Sequence, residues 1–261
     1  MAIAIRGSVS TADSAGTPVH PQTLDLPATI EAGDVILVWM HAYLLANGQF
    51  FSTDPTSDGF TRICDELQEP ANNNTNGAAY YKVAAGTEDG ATLTWARDTG
   101  TFNYYAAAVV LTGVDTASVI DVCTHATHHD SFVDDLTPAF PAITTVTDGA
   151  WVFHAACANM THVSVDTDLS GAVDLVNHPG DNPSTYITYY EKATAGAVNA
   201  EFTYTTGDAG QDGLLLAFAV KPAATGLYAA GVASVSSILS IVGGSPVPVL
   251  AHHYRMLQGV G

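Results

Sequence analysis

Apolar residues in this chain fall into short runs of about four to eight positions separated by clusters of Gly, Asp, Asn and Pro, the pattern of β-strands joined by turns. The clearest run is VILVWMHA (35–42). It follows EAGD and precedes NGQFFSTDPTSDG, whose Asp-Pro and Asp-Gly pairs favour chain reversal. FTRICDE, AAYYKV, TLTWA and YYAAAVVLTGV follow as further expected strands. The second half repeats the order with AWVFHAACA (150–158) after TDG, then TYITYYEK, AEFTYTT and LLLAFAV (214–220). Two phrases are near copies: YYKVAAGTEDGATLTW at 80–95 and YYEKATAGAVNAEFTY at 189–204, so that Leu93 and Trp95 correspond to Phe202 and Tyr204.

No stretch before position 222 carries a long three-to-four-residue period with caps, so a βαβ architecture and its nucleotide-binding crevice are not expected. The predicted fold is all-β. Residues 1–222 should form a two-sheet, jelly-roll-like sandwich built from two similar halves, because each half exposes an apolar face that it cannot bury alone. Two tandem small domains are the alternative arrangement.

Composition changes after AVKP (219–222). Val232, Val235, Leu239 and Val242 then recur at spacings of three, four and three, with Ala and Ser between them. That stripe predicts a short amphipathic helix rather than an added strand, and the prolines of GGSPVPVL predict an extended segment after it. Residues 223–261 therefore read as an arm, partly helical, and not as a second domain.

The chain has 261 residues, 47% hydrophobic and 13% charged, with 23 Gly and 12 Pro, which suits a turn-rich folded protein. Its formal charge is -19, from 26 acids against 7 bases. Such a field repels phosphate backbones and anionic lipid, so neither nucleic acid nor a membrane is an expected partner. Every Asp and Glu lies at or before Asp212, and after Lys221 the only formal charge is Arg255. The longest apolar stretch, Leu227 to Val242, is too short and serine-rich for a good membrane span. Cys64, Cys123 and Cys157 form no CxxC pair, so reduced, buried thiols are expected, and MAIAIRGSVS lacks the shape of a secretory signal.

Two clusters could hold a structural metal. In THATHHD, His125, His128, His129 and Asp130 offer imidazoles and a carboxylate to zinc, with Asp121 as a further oxygen donor, but the segment reads as an irregular loop without the i, i+4 geometry of HExxH. In DTDLSGAVD, Asp166, Asp168, Ser170 and Asp174 match part of a calcium loop, yet Asn177 stands where the bidentate Glu belongs. Neither implies a cofactor, and the plainer expectations are a solvated loop and an acidic turn. There is no GxSxG, GxxxxGK[ST] or GxGxxG, and the three-residue spacing of His154 and Cys157 puts them on opposite faces of a strand. Catalytic residues are therefore expected to be none, although a carboxylate pair from distant loops stays open. Phe50, Phe51, Phe60, Tyr104, Tyr105, Tyr186 and Tyr189 read as loop and strand-end aromatics that could stack on a sugar.

The series AGDVILVWMHA, GFTRI, AAYYKVAAGTEDGATLTW, AAAVVLTGVDTASVIDV, TTVTDGAWVFHAA and LLLAFAVKP resembles the jelly-roll domain of structural proteins in tailed bacteriophages, over roughly residues 3–222. The resemblance implies a non-enzymatic virion protein, a capsid decoration or head-spike component on the capsid exterior, assembled in the host cytoplasm. A tail component or a lectin-like glycan-binding module is the alternative. An apolar, nearly uncharged arm on an acidic body is expected to be buried against sister copies, the major capsid protein or another virion protein. Val232, Val235, Ile238, Leu239 and Val242 would supply contact area, Pro246 and Pro248 an extended course, and Tyr254 and Arg255 anchors. A homo-oligomer, with a trimer as the expected form, follows from that reading.

Overall fold

The computed structural model describes residues 2–13, 22–44, 55–64, 67–68, 75–95, 102–128, 139–158, 162–167, 169–178, 184–200, 202–206 and 213–224. By internal contacts the chain divides into Met1–Ala223 and Ala224–Gly261. The arm residues Val232, Val235, Ile238, Leu239, Val242, Pro246, Pro248, Tyr254 and Arg255, and the helix expected there, lie outside the described residues.

The body is all-β. Its first half holds β1 (Ala4–Asp13), β2 (Gln22–Asp25), β3 (Val35–Leu44), β4 (Thr61–Arg62), β5 (Leu67–Gln68), β6 (Thr75–Val83), β7 (Thr92–Trp95) and β8 (Phe102–Thr112). The second holds β9 (Ile120–His128), β10 (Ile143–Thr145), β11 (Ala150–Ala158), β12 (His162–Thr167), β13 (Val173–His178), β14 (Ser184–Lys192), β15 (Gly196–Val198), β16 (Phe202–Thr206) and β17 (Gly213–Val220). Among the described residues the only helical element is a 3-10 turn, Pro55–Asp58.

Pairing within each half is nested and antiparallel. In the first, β1 pairs with β8, β2 with β7 and β3 with β6; in the second, β9 pairs with β17, β10 with β15 and β11 with β14. A chain doubled on itself in this way and then rolled gives the jelly-roll winding. The large sheets run β1-β8-β3-β6-β4 and β9-β17-β11-β14-β13, the same order twice. Among the described residues the halves differ in that β5 adds a second short partner to β6, and in that β7 is matched by two pieces, β15 on β10 and β16 on β12.

The two large sheets stack face to face, as expected. Val35, Leu37, Trp39, Val109 and Leu111 meet Phe153, Ile187, Phe218 and Val220 in one shared cluster. Trp39 sits 5.6 Å from Phe153 and 5.9 Å from Phe218, ring centre to ring centre, and the two phenyl rings stack at 5.3 Å. Each large sheet also has a covered outer face, which makes four layers. Leu24, Leu93 and Trp95 of β2 and β7 pack on Ile36, Val38, Met40 and Val110, while Ile143 and Val198 of β10 and β15 pack on Val152, Ala217 and Ala219. Strands buried on both faces need no polar alternation, which is why 35–42 and 213–220 read as unbroken apolar runs.

The repeated tyrosine pair is not in register. Tyr80 is buried under the outer layer of the first half, whereas Tyr189 faces the shared inner cluster, as Tyr81 does. Matching the sequence phrases Tyr80 to Tyr189 therefore misses the structural equivalence by one residue, and one residue is enough to exchange the two faces of a strand.

Candidate functional site

The strands end unequally at the two poles of the body. At one pole they are joined by short turns, 31–34, 84–91, 113–119, 146–149 and 193–195. At the other lie Leu44, Thr75, Phe102, His128, Ala158, Ser184 and Gly213, the strand ends to which segments 45–54, 69–74, 96–101, 129–138, 159–161, 179–183 and 207–212 connect. Those segments carry Asp54, Glu69, Asp98, Asp130, Asp134, Asp135, Asp181, Asp208 and Asp212 against one base, Arg97.

The turn pole is tied by local ion pairs and amide contacts. Arg6 reaches Glu31 at 2.9 Å and Asp34 at 2.7 Å. The Glu88 carboxylate accepts the backbone N–H groups of Ala85, Gly86 and Thr87 and lies 3.1 Å from Lys82 Nζ. Burial pushes that carboxyl up, but the Ala85 amide, Lys82 and the Thr87 amide outweigh it and hold the group below the ordinary Glu value. Asp121 accepts from Val146 N at 2.7 Å and Thr147 Oγ1 at 2.8 Å.

Both ends of the body meet at this pole. Ala4 pairs with Thr112 at the start of β1, and the chain leaves β17 through Lys221 N to Val119 O, a Pro222 bridge to Val114, and Ala223 N to Gly113 O at 2.7 Å. Residue 224 thus follows directly on the turn pole, opposite the strand ends that lead to the acidic segments.

Among the described residues the proposed metal ligands form no cluster of three or more. The histidine run is not an irregular loop: β9 continues through His128, pairing His125 with Leu216 and His128 with Gly213. His129 and Asp130 lie outside the described residues, and Asp121, at the other end of β9, is engaged by Val146 and Thr147. The calcium-like segment is likewise divided between strands. Asp166 sits in β12 opposite Thr203, Ser170 is in an exposed turn, and Asp174 in β13 accepts the Tyr186 hydroxyl at 2.7 Å, while Asp168 is not described. Among the described residues no group of three or more His, Cys, Asp or Glu is placed to hold a metal.

The candidate sugar platform is mostly core. Phe60, Tyr104, Tyr105 and Tyr186 are buried, Tyr189 is half-buried against Trp151, and Phe50 and Phe51 lie outside the described residues. Period-two burial on both faces took these rings inward, and no local signal separates such a strand from one with a wet face.

Sequence reading missed a surface groove of about 620 Å³ along the edge where the two large sheets meet. It is lined by Thr56, Arg62, Ile63, Cys64, Cys123, Thr124 and His125. The cysteines are not uniformly buried: Cys157 is, Cys64 is half-buried, and Cys123 is exposed. His154 and Cys157 belong to different faces of β11, His154 beside Phe140 and Cys157 against Leu214.

No family model matches the chain, and no curated protein matches it. Among solved structures it is similar to one described as the crystal structure of the STIV MCP, over 87% of this chain and 99% of that one, at 7% identity and a TM-score of 0.24. A likeness of that size carries no argument, and the fold rests on the strand pairings themselves. Among the described residues no helix is long and apolar enough to cross a membrane.

Proposed function

We propose that this protein is a non-enzymatic structural component of a tailed-phage virion, a capsid decoration or head-spike protein whose residues 223–261 oligomerise it or attach it. The observation that carries the reading is the polarity of the body: the chain leaves for the arm at the turn pole, opposite the strand ends that lead to the acidic segments. An element fixed through one pole can present the other outward. An apolar arm gains by burial against a sister copy or a capsid protein, and an acidic outer pole limits non-specific sticking.

The test is solution mass by light scattering, comparing the full chain with one ending at Ala224, which keeps the Ala223 bond to Gly113. The full chain is expected to be a defined oligomer, with a trimer as the expected form, and the shortened chain a folded monomer. An oligomer that survives truncation would remove the arm from self-assembly. A full-length monomer would leave attachment to a different virion protein as the arm's task, to be tested by adding purified capsids.

A further inference from the structure

The edge groove brings together two thiols from the two halves of the sandwich. Cys123 lies in β9 opposite Phe218, whose ring belongs to the inner cluster between the large sheets. Its neighbour Val122 packs on the outer side, so alternation along β9 aims Cys123 inward, over the edge of the first sheet. There its Sγ donates to the carbonyl oxygen of Ile63 at 3.1 Å. Cys64 is bonded to that carbonyl and packs against the same inner cluster. Both cysteines line one solvent-open groove, together with His125 and Arg62.

We infer that Cys64 and Cys123 are an oxidation site that closes to a disulfide across the two large sheets when the protein meets a peroxide. A disulfide needs Cα atoms about 4.4–6.8 Å apart. A thiol already touching the residue next to its partner has little distance left to cover. The steps balance with hydrogen peroxide as oxidant. The sulfur of Cys123, the more exposed of the two, attacks a peroxide oxygen, the O–O bond breaks, and sulfenic acid and one water result. The Cys64 thiol then displaces the sulfenic oxygen as a second water, leaving the S–S bond. Two thiols lose two electrons, and one peroxide gains them. The product closes the chain from residue 64 to residue 123 into a loop, and the freedom this removes from the unfolded chain stabilises the folded one. Cys157, buried against Leu214, takes no part.

The experiment treats the full chain with hydrogen peroxide under native conditions, alkylates the remaining thiols after denaturation, and maps peptides by mass spectrometry. The expected product has lost two of its three alkylatable thiols and two hydrogens of mass, and yields one linked peptide pair containing positions 64 and 123. It should have a higher denaturant midpoint that dithiothreitol reverses. Cys64→Ser should leave Cys123 as a sulfenic acid that dimedone traps, and Cys123→Ser should abolish the link. The inference is overturned if both thiols stay alkylatable, if they go separately to sulfinic acids, or if the linked peptides come from two different chains.

Discussion

His41 Nδ1 lies 3.1 Å from Thr185 Oγ1, although 144 residues separate them in the chain. His41 is on β3 of the first large sheet and Thr185 on β14 of the second, so the pair is a buried polar contact between the two sheets. The imidazole stands beside Gly77, where an added Cβ would come within 3.0 Å of the ring, and it borders a cavity of about 10 Å³ whose other walls are Ala78, Ala79, Ala155, Leu214 and Leu216. Among the described residues no charged side chain lines that cavity.

Burial lowers the His41 pKa to about 3. The unfolded chain takes up the proton near the ordinary histidine value, while the folded protein refuses it until far lower pH. The depressed folded value means that His41 costs nothing above pH about 6.5, and that stability falls as pH drops from there towards 3, by up to about 1.4 kcal/mol per pH unit. Urea unfolding at stepped pH should show this slope beginning above the carboxylate range, and His41→Gln should flatten it. A wild-type midpoint that stays constant down to pH about 5 would disprove the assignment.

Trp39 is the largest ring shared by the two halves. Trp39→Ala should cost about 3–5 kcal/mol by denaturant titration. Because one cluster serves both sheets, the halves should unfold together: near-ultraviolet signals from Trp95 in the first half and Trp151 in the second should share one midpoint. Two separated transitions would mean that the halves are independent domains.

Gly113 and Gly90 both have positive φ, 77° and 61°, but only Gly113 is crowded. A Cβ there would stand 2.2 Å from Ala2 O, whereas nothing lies within 4 Å of one at Gly90. Gly90→Ala should cost only the backbone penalty, about 1 kcal/mol. Gly113→Ala should cost about 3 kcal/mol or more, since backbone must move at the turn that also receives Ala223. Equal losses in the two variants would refute the clash.

Glu88 closes the 84–91 turn by accepting three backbone N–H groups. Glu88→Ala should cost about 2 kcal/mol in thermal or denaturant unfolding. Its folded pKa is held below the ordinary Glu value, so the contribution is present above that value and lost as pH falls through the folded one, a window below the His41 slope. Glu88→Gln should remove this acid-range component and leave the higher slope intact.

The chain's local pattern determined that this is an all-β protein, where its main strands run and that their order occurs twice. Those features depend on neighbours in sequence: apolar runs of strand length, and turn residues such as Gly33 and Gly149, whose positive φ no other residue adopts cheaply. Only the tertiary structure decided which face each residue occupies. Tyr80 and Tyr189 look equivalent in the sequence and lie on opposite sides of their sheets, because a one-residue slip in pairing costs nothing locally and everything in burial. Tyr104 and Tyr186 looked available to a ligand and are core, His128 looked like loop and ends a strand, and Cys64 and Cys123 line one groove at the edge of two sheets. Each of those outcomes depends on a partner far away in the chain, and the free energy that selects it comes from closing two sheets on one another and leaves no mark on the residues beside it.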